Sequence, residues 1–261
     1  VDYESGAVRA RYSAEELLES VPQIADIANL STDQLFNKWS DDLRTEDWNA
    51  VIKATERAFS EGARGVVIAH GTDTMHLTAA AVAFAWCGRG GRPPGPIVFT
   101  GSQKSSDRGS SDAFVNLCAS IEWAAKGPKP TGDGDGTVII MHDSLNGGRV
   151  AVISGLNARK MHTSARAAFA SIGKPALATH DMHNSEWEMP VSDVTNRSIT
   201  SEPDEFRNDL RILQSIAGPF LLANHLGQPD EVDALIIHGT GLGHIPLDEI
   251  EADGINGDIA R

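Results

Sequence analysis

At 261 residues the chain has material for one large α/β domain or two modest ones, with enough apolar content for a real core. Apolar residues make up 41%, yet no run approaches a membrane span, no segment reads as a signal peptide, and two cysteines, Cys87 and Cys118, cannot form a disulfide framework or a four-ligand zinc site. Lys and Arg number 22 against 36 Asp and Glu, a net charge of −14, so a broad surface gripping nucleic acid is not expected on this chain.

The string Ser13-Ala-Glu-Glu16 has the pattern of a capping box and predicts a helix toward Ile27, interrupted near Pro22. Thr45 is placed to cap a second helix, with Trp48, Val51, Ile52, Thr55 and Phe59 on one face and Gly62 at its end. Gly65-Val-Val-Ile-Ala69 is a short β-branched run of the kind found in strands buried on both faces. An Ala-rich helix from Thr74 to Trp86 follows, stopped by Gly88. After a Gly/Pro loop come a strand over Pro96 to Phe99, a Ser/Asp-rich segment from Ser105 to Asp112 and a helix from Ser111 to Ala125. A Gly-rich stretch, Thr131 to Gly136, precedes a strand over Thr137 to Met141.

This alternation argues for an α/β fold, a doubly wound and mostly parallel sheet with helices on both faces. Beyond Ala178 the periodicity fades, and residues 179–203 read as a linker between a domain over 1–178 and a smaller α/β domain over 204–261. In the latter, Glu205 to Ile216 reads as a helix and Asp233 to His238 as a buried strand. The chain opens at Val1 without a methionine and stops at Arg261 in mid-domain, so a fragment is expected.

Ligands of open α/β sheets bind beyond the carboxyl ends of the strands. Those ends carry His70-Gly-Thr72-Asp73, Thr100-Gly-Ser102-Gln103, His142-Asp143-Ser144 and His238-Gly-Thr240. Gly71 permits close backbone approach, and Thr72 and Asp73 stand where the next helix begins, with unpaired N–H groups suited to an anion. The same pair would serve equally as helix caps. Lys160, in Asn157-Ala-Arg-Lys-Met-His-Thr-Ser164, is either a surface lysine or, buried beside an aspartate, a proton shuttle. His180-Asp-Met-His183 is a poor metal pair, and Asp133-Gly-Asp135-Gly lacks the glutamate of a calcium loop. There is no Walker A or GxGxxG string.

His70-Gly-Thr-Asp-Thr-Met75 resembles the second active-site signature of the L-asparaginase/glutaminase family, and Lys160 falls where that family has its catalytic lysine. Gly101-Ser-Gln-Lys-Ser-Ser-Asp-Arg-Gly-Ser-Ser-Asp-Ala113, Arg159 to Ser164 and Gly239-Thr-Gly-Leu-Gly-His244 are similar to the archaeal glutamyl-tRNA(Gln) amidotransferase D subunits (GatD) within it. The likeness runs from Val1 to at least Pro246. It implies a glutaminase half-reaction, in which a threonine hydroxyl attacks a side-chain amide, ammonia leaves and water releases the acid.

By that resemblance Thr72, Asp73 and Lys160 are the catalytic positions, with backbone near Gly71 and Thr72 facing the oxyanion. Ser40 and Asp41, in Trp39-Ser-Asp-Asp-Leu43, take the substrate α-carboxylate and α-ammonium. The family's first threonine lies in a Thr-Gly-Gly-Thr segment ahead of a stretch like Asp2 to Val8. It is not in this sequence, which leaves the nucleophile open between it and Thr72 and implies a weak or inactive fragment. Lys104 stands where the family more often has Arg, a milder departure.

The implied partner is a GatE-like subunit that uses ATP and Mg, grips Glu-tRNA(Gln) and receives the ammonia, with no cofactor on this chain. A homodimer within a heterotetramer is implied too, in the cytoplasm and apart from any membrane, with glutamine or asparagine as donor. The alternatives are a stand-alone cytoplasmic L-asparaginase and a non-catalytic amino-acid-binding module of the same fold.

Overall fold

The computed structural model describes residues 16, 24, 26–104, 111–127, 136–144, 148–181, 186–188, 198–200, 202–216, 231–239 and 241. The helix expected from Ser13 toward Ile27 lies largely outside these residues, and residues 105–110, 131–135, 182–185, 240 and 242–261 lie wholly outside them. The chain forms two compact units, Val1–Phe206 and Arg207–Arg261.

In the first unit a single turn of 3₁₀ helix, Ser40–Asp42, leads into α1, Thr45–Ser60. The carboxylate of Asp47 accepts the Arg44 N–H at 2.9 Å and the Lys38 ammonium at 2.6 Å, so the helix is capped from within its first turn. Arg44 thus holds the cap position expected for Thr45. Burial works against the Asp47 charge, but Lys38 and the Arg44 N–H outweigh it and hold the carboxyl below its usual range. α2 (Met75–Cys87) and α3 (Ala113–Lys126) follow the strands β1 (Val66–Ala69) and β2 (Ile97–Thr100).

β1, β2 and β3 (Thr137–His142) run parallel in that order, with Ala69 opposite Thr100 and Phe99 opposite Ile139. Side chains alternate across them. Ile97, Phe99, Ile139 and Met141 pack with α2 residues such as Val82 and Trp86, whereas Val98, Val138 and Ile140 pack with Ala119 and Trp123 of α3. β2 and β3 are therefore covered on both faces, and each fully buried Ile or Phe contributes about 1.5–3 kcal/mol, whereas β1, read as buried on both faces, stands at the end of the sheet order and is only half-buried, with Ala69 exposed.

The order across the sheet is β1-β2-β3-β4-β7-β8. β4 (Arg149–Ser154), β7 (Ala178–Asp181) and β8 (Glu186–Glu188) continue it antiparallel. The fold is α/β with helices on both faces, and its sheet is mixed rather than parallel throughout. β8 and all of β7 after Ala178 lie inside residues 179–203, the segment read as a linker. Only Ala178 and His180 of β7 are buried, so alternate residues at the rim stay polar and mask the strand pattern. A separate hairpin, β5 (Ala158–Lys160) with β6 (Phe169–Ser171), puts Lys160 opposite Phe169.

In the second unit β9 (Ile212–Ile216) and β10 (Ala234–His238) pair in parallel. The helix expected over Glu205 to Ile216 is instead irregular chain ending in β9. Its β-branched and apolar residues find a strand partner 22 positions away, where the Asp233 carboxylate also accepts the Arg211 N–H at 2.7 Å.

Candidate active site

β1 and β2 end side by side, and their ladder runs one rung further, the His70 N–H donating to the Thr100 carbonyl at 2.9 Å. Two turns then lie against each other. Gly101 is required there, because a β-carbon would stand 2.5 Å from the His70 carbonyl oxygen and 3.3 Å from Thr72 Cγ2. Gly71 has a similar duty, since its β-carbon would meet the Ser40 side chain at 2.9 Å. The Thr74 hydroxyl donates to the Ser40 carbonyl at 2.8 Å, tying the 3₁₀ turn to the start of α2. Ser40, Asp41, Gly71, Thr72 and Asp73 are thereby gathered at one end of the sheet.

Lys160 reaches the same place from β5. Its ammonium donates to Thr72 Oγ1 at 2.9 Å and to Asp73 Oδ1 at 2.6 Å. The pair is unequally buried: the lysine side chain is 8% exposed, its carboxylate partner 63%. Lys160 is thus a lysine drawn into the fold rather than a surface one, with Asp73 between it and solvent. Asp73, His76, Lys160, Met161, His162 and Thr163 line an open cavity beside the pair. His76 is held below the usual imidazole range by burial and by the positive charges of Arg159 and Lys160.

His70 faces inward. Its Nδ1–H donates to the Gly71 carbonyl at 2.6 Å and its ring meets Phe99 edge-on. Burial lowers its pKa and outweighs that hydrogen bond. Through that hydrogen bond it shapes the turn.

The sequence motifs do not point to the brace beneath the second turn. Buried Asp112, at the cap of α3, accepts the Gln103 N–H at 3.0 Å, the Lys104 N–H at 2.9 Å and the Ser102 hydroxyl at 2.9 Å. Burial opposes its ionisation, but these donors prevail and hold the carboxyl below its ordinary range. Asn116, one turn on, donates to the Gly101 carbonyl at 2.9 Å and accepts from His142 Nδ1–H at 2.7 Å. His142, at the end of β3, is thus part of the brace and not of the ligand site. Gln103, the residue so placed, accepts the Thr72 hydroxyl at 3.1 Å through Oε1.

His238 belongs to the second unit and Thr240 lies outside the described residues. Among the described residues no three His, Cys, Asp or Glu side chains are gathered to hold a metal ion, and no helix is long and apolar enough to cross a membrane.

The arrangement can move a proton between a hydroxyl and an amine while a carboxylate steadies the ammonium. Comparison with known proteins agrees in kind. The family profile described as "Asparaginase, N-terminal" matches residues 1–192. The D subunit of the glutamyl-tRNA(Gln) amidotransferase of Metallosphaera sedula is 39% identical over 97% of this chain and 56% of its own length. Its counterpart from Pyrococcus abyssi is 36% identical over 96% of this chain and 55% of its own. The chain therefore spans about half the length of the curated relatives it matches.

Among solved structures, the thermostable L-asparaginase from Thermococcus kodakarensis superposes with a TM-score of 0.73 at 27% identity, over 96% of this chain and 69% of that one. A probable cytoplasmic L-asparaginase from Campylobacter jejuni gives 0.72 at 21% identity over 95% and 71%, a likeness of fold alone.

Proposed function

The chain belongs to the asparaginase family, and from that premise we propose that it forms the amide-hydrolysing centre of a glutamyl-tRNA(Gln) amidotransferase. The centre releases ammonia from the side-chain amide of glutamine or asparagine. One observation carries the reading: Lys160 Nζ touches both Thr72 Oγ1 and Asp73 Oδ1.

In this scheme a threonine oxygen attacks the amide carbonyl carbon. The C–O bond forms as the C–N bond breaks, nitrogen leaves as ammonia, and water then frees the acid. Thr72, Lys160 and Asp73 handle the protons of both steps. Lys160 takes the Thr72 hydroxyl proton across 2.9 Å and passes one to the leaving nitrogen, while Asp73 stabilises the transient ammonium. N–H groups of the turn at Gly71 and Thr72 face the developing oxyanion.

Ser40 and Asp41 recognise the amino-acid end of the donor. A hydroxyl suits the α-carboxylate and an exposed carboxylate suits the α-ammonium. Gly71 matters to this contact because it lets Ser40 approach the turn.

In the whole protein the ammonia passes to a GatE-like partner that binds Glu-tRNA(Gln) and consumes ATP with Mg, in the cytoplasm. This division of labour suits a chain with a net charge of −14, which leaves the tRNA mainly to the partner. A homodimer of this subunit within a heterotetramer completes the scheme.

The test is ammonia release from glutamine and from asparagine by the whole protein, with and without the partner and Glu-tRNA(Gln), alongside Thr72→Ala and Lys160→Ala. Partner-stimulated release from glutamine, abolished by either substitution, supports the assignment. Equal release from free asparagine without any partner replaces it with a stand-alone asparaginase. Substrate binding without turnover replaces it with a binding module.

A further inference from the structure

Lys160 as an ammonium has only donors, so the Thr72 proton needs an acceptor elsewhere. It has one: Thr72 Oγ1 donates to Gln103 Oε1 at 3.1 Å. This contact fixes which end of the Gln103 amide is oxygen. The other end, Nε2, is then a donor one amide width from the reacting hydroxyl. It is buried, and among the described residues it has no hydrogen-bond partner.

An orphaned buried donor is costly, and most such groups in folded proteins are paired. The backbone of Gln103 is meanwhile held hard, its N–H on Asp112 at 3.0 Å, and Asp112 is itself fixed by Lys104, Ser102 and Asn116. A side chain positioned so firmly with one end unused is arranged for a group that arrives later.

We propose that Gln103 is a substrate-touching residue of the amide-hydrolysing centre. Its Oε1 accepts the Thr72 hydroxyl proton in the resting centre, where Lys160 is the donor to Thr72, and its Nε2–H donates to the carbonyl oxygen of the donor amide. The proposal rests on the reading of Thr72 and Lys160 given above. As the carbonyl carbon becomes tetrahedral and negative charge gathers on that oxygen, the hydrogen bond from Nε2 strengthens, whereas the one at Oε1 is released when Lys160, having first given a proton to solvent, takes that of Thr72 as the hydroxyl turns toward it. The side chain keeps its own protons throughout.

The experiment compares Gln103→Leu and Gln103→Glu with the parent in the whole protein and its partner complex, measuring kcat and KM for ammonia release from glutamine across pH. Lys160→Ala serves as the control. The glutamate variant keeps the acceptor for Thr72 and loses only the donor. We expect both variants to lose about 100-fold in kcat, the order seen when one oxyanion donor is removed, with KM changed by less than about twofold.

The ratio of the glutamate variant to the parent should recover toward acid pH, where a protonated carboxyl again both accepts and donates. A merely structural role would produce no such recovery. If the leucine variant fails to fold, the isosteric glutamate variant decides alone. A glutamate variant as active as the parent at neutral pH, or a loss confined to KM, overturns the role of Gln103 while an inactive Lys160→Ala leaves the centre standing. An active Lys160→Ala overturns both.

Discussion

Thr72 Oγ1 lies 2.9 Å from Lys160 Nζ although 88 positions separate the two residues. Thr72 is fixed by the turn after β1, and Lys160 by the β5–β6 hairpin, where the Met161 N–H donates to the Ala168 carbonyl at 2.7 Å. The contact exists only when both halves of the first unit are assembled. What it does chemically can be separated from what holds it in place.

Lys160→Met should keep the fold and lose ammonia release by roughly 10³-fold, the scale of a missing general base. Lys160→Arg should fail as well, because a guanidinium does not give up its proton near neutrality. Steady-state ammonia assays on the whole protein, with a thermal melt to confirm folding, check both. A Lys160→Arg variant that retained half of the activity would remove the proton-acceptor role.

Gly101→Ala should cost about 1–3 kcal/mol, since its β-carbon falls on a backbone carbonyl that cannot swing aside. Gly71→Ala would set a β-carbon 2.9 Å from Ser40 Cβ, which moves only with its backbone, and should raise KM as well as cost stability. Urea unfolding for both and KM for the second check these outcomes.

Asp112→Asn should leave at least one of the N–H groups of Gln103 and Lys104 without its acceptor, a loss of about 1–3 kcal/mol at neutral pH. The folded-state carboxyl titrates below its ordinary value of 3.8, so its stabilisation is complete above that pH and disappears as pH falls through the folded value. The gap in melting temperature between parent and variant should therefore be constant from pH 5 to 7 and close below about pH 4. A gap unchanged at pH 3 would contradict this account.

Thr55→Val should destabilise the α1–α2 contact by about 1–2 kcal/mol, because it strands the buried indole N–H of Trp86, which donates to Thr55 Oγ1 at 3.0 Å. Urea unfolding followed by circular dichroism checks the loss.

Much of the first unit can be read from the chain. The stripe from Trp48 to Phe59 obeys the helical period, the run at Val66–Ala69 is continuously apolar and β-branched, and α2 is Ala-rich, and the helices and strand form close to where these patterns place them. The run Val150-Ala-Val-Ile153 in β4 is as strand-like as β1, yet it has an antiparallel partner and no following helix, so the alternation of strand and helix leaves no place for it. β5 and β6 are three residues each and owe their existence to pairing, not propensity. β9 lies in a stretch whose apolar spacing suits a helix as well as a strand, and a distant partner decides between them.

The candidate site divides in the same way. Thr72 and Asp73 stand at a strand end where polar residues draw attention on general grounds, but Lys160 is tied to them in the sequence only through a family likeness. Gln103 is visible as part of a polar turn, although no motif supplies its partner. Asp112 and Asn116 are spaced as ordinary residues at a helix start, and their carboxylate and amide become significant only when β2 and β3 bring Gly101 and His142 against them.

The rung from the His70 N–H to the Thr100 carbonyl belongs to the sheet and also sets the distance between two reacting turns. Side chains reverse face at every residue along a strand, so a register error of one step would turn Thr72 away from Gln103. Tolerance to insertions and deletions is consequently uneven along the chain. The exposed stretch from Gly88 to Gly90, ahead of the backbone bonds that tie Arg92 to Ser198 and Thr200, can lengthen at little cost, whereas a single residue gained or lost between Ala69 and Thr72, or between Thr100 and Gln103, would abolish the centre while leaving the core strands able to pair.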